Sequence, residues 1–290
     1  MPAPPPWPPE PPIELPPART VRVPGRGEMF IRDTGGDGPV VMLLHGWIAN
    51  ADLNWYGAYG DLSEAGYRVL AIDHRGHGRG LRPLVPFRLT DCAADAAGTL
   101  RELGVAPAIV VGYSMGGAIA QLIARDHRDV ISGVVLSGTS QHWQDRQAQR
   151  TFKLMGAVGL MLSLAPRSTV RLSFKRAHLP TNRQTVWAQS ELMRNSARDL
   201  VQAGRELGRF DSRPWLGSLA VPAAVVLTAR DQAVPPHNQR ELASALRASI
   251  IEAPVDHLEI ISDARHYNPS LLQAIAAVRA ELGVPARGMS

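Results

Sequence analysis

The stretch "VVGYSMGGAIAQ", residues 110–121, sets a single hydroxyl between two glycines where a β-branched apolar run meets a helical pattern. Taken alone, a serine at a helix start reads as a cap, because its oxygen accepts a bond from an orphan backbone N–H. The competing reading is a nucleophile. A strand, then Gly112-Tyr113-Ser114-Met115-Gly116, then a helix is the G-x-S-x-G elbow with its required context on both sides. That turn holds the serine in a strained backbone conformation, and the glycines keep side chains out of the way of the neighbouring strand and helix.

A serine hydroxyl is a poor nucleophile without a base, and the base needs a carboxylate to fix its tautomer. Both are found downstream. In "VVLTARDQAVPPH" Asp231 follows a strand-like run, and in "IIEAPVDHLEIIS" His257 follows the next one. Groups at the carboxyl ends of parallel strands converge on one edge of a sheet, so Ser114, Asp231 and His257 are the candidate catalytic set. His266, in "DARHYNP", is the rival base, but it abuts the final helical pattern rather than a strand. Asp256 and Asp263 do not occupy the acid position.

The frame around the elbow repeats one theme. Runs at 40–44, 68–72, 108–112, 133–137, 223–228 and 249–253 are short, apolar and mostly unalternating, as strands covered on both faces should be. Helical patterns lie between them. They include residues 90–103, opening at Thr90 with a cap, residues 238–247, and residues 269–282, opening at Asn268-Pro269. The runs near 20–23 and 28–32 read as a leading antiparallel hairpin. This predicts an α/β fold: a mostly parallel sheet with helices on both faces.

The alternation breaks between residues 140 and 213, after the sixth strand, where only helical patterns occur. We expect a helical cap or lid there, a core of 18–139 and 214–290, and a Pro-rich flexible or surface-draped leader over 1–17, which has ten prolines. The chain carries a net +5, but Gln141 to Arg213 alone holds thirteen Lys/Arg against five Asp/Glu. The basicity therefore belongs to the cap. Without an aromatic-interleaved groove it does not indicate nucleic acid. Arg167, Arg171, Lys175 and Arg176 make the cap a candidate for weak contact with an anionic membrane surface, although no single stripe in the sequence unites them. Within the cap, residues 152–165 read as an apolar helix, either a pocket-lining lid or a plain core helix. The lone Cys92 excludes an internal disulfide, and with no secretory signal in the leader the expected location is cytoplasmic.

Five ordered motifs carry a family likeness: "HGW" at 45–47, "DHRGHGRG" at 73–80, "GYSMGG" at 112–117, "ARDQAVP" at 229–235 and "DHLEI" at 256–260. With them the chain resembles the α/β-hydrolase superfamily from about Val21 to Leu282, and in detail the actinobacterial capped serine esterases and lipases. The resemblance implies the α/β-hydrolase fold with an inserted cap. It also implies an oxyanion hole made by the backbone N–H groups of Trp47 and Met115, and a structural His45 behind that loop. No cofactor or metal is implied; His74 and His77 fall in the family's D-x-R-G-x-G turn. The chain departs from the family in having Asp256 where a glycine often precedes the histidine.

The expected reaction is hydrolysis of small-molecule carboxylic esters with a hydrophobic acyl group, through an acyl-enzyme. Two other readings stay open. One is C–C bond hydrolysis or cofactor-free perhydrolysis on a similar elbow. The other, from a different class, is a low-turnover receptor or scaffold that keeps its triad.

Overall fold

The computed structural model describes residues 9–144, 166–176 and 180–283. Eight strands form one sheet: β1 (Ala18–Val23), β2 (Gly27–Asp33), β3 (Val40–Leu44), β4 (Arg68–Ile72), β5 (Ala108–Tyr113), β6 (Ile131–Ser137), β7 (Ala223–Thr228) and β8 (Ser249–Ala253). Their order is β1-β2-β4-β3-β5-β6-β7-β8. β1 and β2 pair antiparallel at the leading edge, β2 joins β4 antiparallel, and the remaining pairings are parallel. All six residues of β5 and of β7 are buried, so neither shows alternation. β8 departs from the expectation of a strand covered on both faces. It closes the sheet, and its Ser249, Ile250 and Glu252 are exposed.

The period-two geometry of a strand sorts its side chains between two cores. Met42, Leu44 and Val110 face one layer, with Cys92, Ala96 and Leu100 of α3 (Leu89–Glu102), Ile119 and Leu122 of α4 (Met115–Asp126) and Leu242 further along the chain. Val41, Leu43, Ile109 and Val111 face the other. There they meet Trp55 of α1 (Ala51–Trp55), Leu62 of α2 (Tyr59–Glu64) and Leu271 and Ile275 in the C-terminal helix. Helices thus cover both faces of the sheet.

Between β6 and β7 the described chain is helical: α5 (Pro166–Arg176), α6 (Arg183–Leu192), α7 (Ala197–Arg209) and the short α8 (Arg213–Leu216). The apolar stretch 152–165 lies outside the described residues. α6 seats Trp187 on Tyr56 and Leu53 beside α1, with the Tyr56 and Trp187 rings edge to face at 5.3 Å. A buried carboxylate fixes the same helix polarly. Glu191 accepts from both Arg79 guanidinium ends at 3.1 and 3.2 Å, from Asn50 Nδ2 at 2.9 Å and from Arg194 Nε at 2.8 Å.

After β7 come α9 (Pro236–Leu246), α10 (Glu259–Ser262) and α11 (Ala264–Glu281). Three helix starts differ from the sequence reading. α9 begins at Pro236, two residues before the expected 238. α3 begins at Leu89 with Arg88 as its cap residue and no side-chain bond, so Thr90 lies inside the first turn. α11 begins five residues before Pro269, because Asn268 is not a cap: its Nδ2 donates to Gly57 O and Asp61 Oδ2, both at 2.7 Å. Of the leader, residues 9–17 lie against the protein. Arg32 Nη1 donates to Pro16 O at 2.8 Å, and Leu15 packs between the small α1–α6 cluster and the adjoining core. Among the described residues, no helix is long and apolar enough to cross a membrane.

Candidate active site

Three loops at the carboxyl edge of the sheet bring Ser114, Asp231 and His257 together. β5 ends at Tyr113 and α4 begins at Met115, leaving Ser114 alone in the turn with φ 54° and ψ −116°. A positive φ is uncommon for a non-glycine residue and persists only when its surroundings over-determine it. Here Ser114 N–H donates to Ser137 O at 3.0 Å, and its carbonyl accepts from Thr139 Oγ1 at 2.8 Å. The glycines serve close approach: a Cβ on Gly112 would sit 2.3 Å from Gly116 O, and one on Gly116 2.1 Å from Leu44 O. The Ser114 side chain makes no capping bond to α4. Its Oγ lies 3.2 Å from His257 Nε2.

The other imidazole nitrogen, Nδ1, is 2.7 Å from Asp231 Oδ2. Asp231 is buried, and its oxygens accept from Thr228 Oγ1 and from the backbone N–H groups of Ala233 and Val234, all at 2.8 Å. Behind it the buried Gln239 donates to Thr228 Oγ1 and Val234 O at 2.7 Å and accepts from Thr228 N–H at 3.0 Å. This clamp fixes the carboxylate through its neighbours. His257 itself is held by its backbone, whose carbonyl accepts from the Tyr113 hydroxyl at 2.6 Å.

Asp256 has a local structural role. Its carboxylate accepts from the N–H groups of Leu258 and Glu259 at 2.8 Å, and its own N–H donates to Glu259 Oε2 at 2.7 Å, so it ties off the turn into α10. His266 is not brought to Ser114. It is exposed on α11 and pairs with Asp263 at 2.7 Å.

Met115 follows Ser114 directly in the chain, and Trp47 follows Gly46 in the loop after β3. Met115 opens α4, where the first N–H groups of a helix lack intrahelical acceptors. Trp47 lies in the loop after β3, and at Gly46 that loop comes so near the elbow that a Cβ would be 3.3 Å from Ser114 Cβ. His45 stands behind the loop, its Nδ1 2.8 Å from Gly46 O and its Nε2 3.0 Å from His74 N. Since Nε2 must accept from the His74 N–H, the His45 proton sits on Nδ1. His45, His74 and His77 form one buried stack, with centroids 4.2 and 5.3 Å from His45. Burial pushes His74 down to about 3 and His77 down to about 4, and it holds His45 well below the usual imidazole range. All three rings are neutral at pH 7.

Tyr113, Thr228, Gln239 and Asn195 escaped the sequence reading. Tyr113 was in view inside the elbow. Thr228 and Gln239 show their roles only once the turn after β7 folds back on itself around Asp231, and Asn195 only through contacts with loops more than a hundred residues away.

The sequence model described as the alpha/beta hydrolase fold matches residues 39–269, and the chain belongs to that family. The AB hydrolase superfamily protein YisY of Bacillus subtilis is 26% identical over 230 residues, 76% of this chain and 84% of that protein. A pimeloyl-[acyl-carrier protein] methyl ester esterase of Chromobacterium violaceum is 30% identical over 229 residues, 76% of this chain and 86% of that protein. A non-heme haloperoxidase of Rhodococcus erythropolis is 37% identical over 112 residues, 38% of this chain and 40% of that protein. Among solved structures, an esterase from Exiguobacterium antarcticum superposes with a TM-score of 0.76 at 20% identity, covering 88% of this chain and 97% of that one, a likeness of fold.

Proposed function

We propose that the chain is a serine hydrolase that cleaves carboxylic esters with a hydrophobic acyl group. The observation that carries this reading is the continuous contact from Ser114 Oγ through His257 to Asp231, at 3.2 and 2.7 Å, with the serine in the strained turn. Asp231 accepts from His257 Nδ1–H, so the lone pair on Nε2 faces the serine hydroxyl. Nε2 takes the proton as Oγ attacks the acyl carbonyl. The oxyanion is received by the N–H groups of Met115 and Trp47, donors set in place before charge develops. The imidazolium then protonates the leaving alkoxide. Water, deprotonated by His257, attacks the acyl-enzyme and releases the acid with Ser114 restored. The helices between β6 and β7 act as the cap, with Trp47 at its underside and the fully apolar Leu258 next in the chain after His257, 70% exposed. The ester relative supports the same bond type.

A second reading, perhydrolysis, has the haloperoxidase relative in its favour: hydrogen peroxide replaces water at the acyl-enzyme and a peracid leaves. An acyl-chain-length series of chromogenic esters, run with and without peroxide beside a meta-cleavage dienoate, separates these chemistries. The ester reading expects turnover rising with acyl length, and about a millionfold loss in Ser114→Ala. Turnover of the dienoate alone, or unchanged ester turnover in folded Ser114→Ala, contradicts it.

A further inference from the structure

The loop that carries Trp47 is held from above. Ile48, the next residue, has φ 73°, a conformation that is an outlier for a β-branched side chain. Its carbonyl accepts from Asn195 Nδ2, and Asn195 lies in the turn between α6 and α7. The same amide's Oδ1 accepts from Gly78 N–H at 2.8 Å, so one side chain pins the loops after β3 and β4 to each other. The Trp47 indole N–H donates to Leu200 O of α7 at 2.9 Å. Gly204, one turn on, leaves the indole room: a Cβ there would lie 2.4 Å from Trp47 Cζ2. Asn50, at the far end of the loop, donates to Glu191 Oε2 of α6 at 2.9 Å. From the sheet side the loop is held by Gly46 N–H on Asn54 Oδ1 at 2.9 Å and by His45. The strained half of the loop, Trp47-Ile48, thus takes its hydrogen bonds at Trp47 Nε1 and Ile48 O from the inserted helices.

We infer that Asn195 is a positioning residue for the reaction: by holding the Ile48 carbonyl it keeps the Trp47 N–H aimed at the oxyanion, so that docking of the inserted helices completes the oxyanion hole. This rests on the reading of Ser114 as nucleophile and Trp47 N–H as donor. A strained β-branched residue relaxes once its restraint is removed. Relaxation at Ile48 rotates the Trp47–Ile48 peptide, and the compensating change in the Trp47 dihedrals turns the Gly46–Trp47 peptide that carries the donor, while Ser114, His257 and Asp231, held by other contacts, stay in place.

The discriminating variant is Asn195→Asp, which keeps the acceptor for Gly78 N–H and loses the donor to Ile48. Its kcat and kcat/KM for a chromogenic ester should fall together, by about tenfold, because a donor that matters in the transition state is misaimed. Affinity for a trifluoromethyl ketone, whose serine adduct bears the same oxyanion, should fall by the same factor, and fluorophosphonate should still label Ser114. Ile48→Gly added to Asn195→Asp should recover at least threefold of the loss, since glycine takes a positive φ without restraint. If Asn195→Asp and Asn195→Ala lower the melting temperature but leave kcat and ketone affinity unchanged, or if the glycine restores nothing, the inference is overturned. Absence of labelling in the unmodified protein instead overturns the serine reading beneath it.

Discussion

The Tyr113 hydroxyl donates to the His257 backbone carbonyl at 2.6 Å, so the residue preceding the candidate nucleophile also holds the candidate base. The Tyr113 ring sits under Gly46 as well, where a Cβ would come within 2.7 Å of its Cε1. One buried side chain therefore touches the nucleophile turn, the base loop and the donor loop. Tyr113→Phe keeps the ring and removes only the bond. We expect about 1 kcal/mol lost from stability, the ordinary worth of one hydrogen bond, and about a three- to tenfold lower kcat with KM nearly unchanged. Chemical denaturation and steady-state kinetics check both; unchanged kcat removes the hydroxyl from the account.

His257 and His266 are separated by one substitution each. His257→Ala should reduce ester turnover by about 10⁴-fold or more, as loss of a triad base does. His266→Ala, on an exposed helix start paired with Asp263, should leave turnover within twofold. The reverse pattern contradicts the assigned base.

The buried imidazole stack predicts how stability responds to acid. His74 and His77, pushed down by burial to about 3 and about 4 from 6.5, stay neutral in the fold where the unfolded chain binds protons; His45 behaves likewise. Their contribution is fully present above pH 6.5 and is lost as pH falls toward 4. Asp73 opposes it: burial raises its carboxyl to about 6 from 3.8, so its contribution is present below 3.8 and lost as pH rises through 6. Three groups outweigh one. Stability should fall on acidification from pH 7 to 5, by at most about 3 kcal/mol per pH unit for two net protons. Urea midpoints across that range test it, and a flat or rising midpoint contradicts the stack's neutrality.

α5 presents a feature the bare sequence concealed. Arg167, Arg171, Leu172, Lys175 and Arg176 are all exposed while Thr169 and Val170 are buried, so the four cations point to the solvent side of the helix, spread over about half of its circumference. With about 1 kcal/mol per basic residue near an anionic surface, we expect cosedimentation with anionic vesicles at low salt, weakened at high salt and absent with neutral vesicles. Equal, negligible binding to both marks the face as a solvated one.

The strands were legible because burial on both faces writes itself locally, as in the unbroken apolar runs of β5 and β7. The site was legible as an order of residues, each just past a strand. What the sequence concealed was set by distance along the chain or by competition. Tyr113 meets His257 across 144 residues and Asn195 meets Ile48 across 147, and nothing near either residue signals its partner. Asn268 and Thr90 look like helix caps locally, but tertiary contacts of Asn268 and an earlier start at Leu89 override them.

The central claim is that Ser114 Oγ is the atom that becomes acylated. The direct measurement is mass spectrometry of the intact and digested protein after reaction with an alkyl fluorophosphonate. The account predicts one adduct per chain, on the peptide containing Ser114, and none in folded Ser114→Ala. No adduct on the unmodified protein, or an adduct that persists in Ser114→Ala, contradicts it.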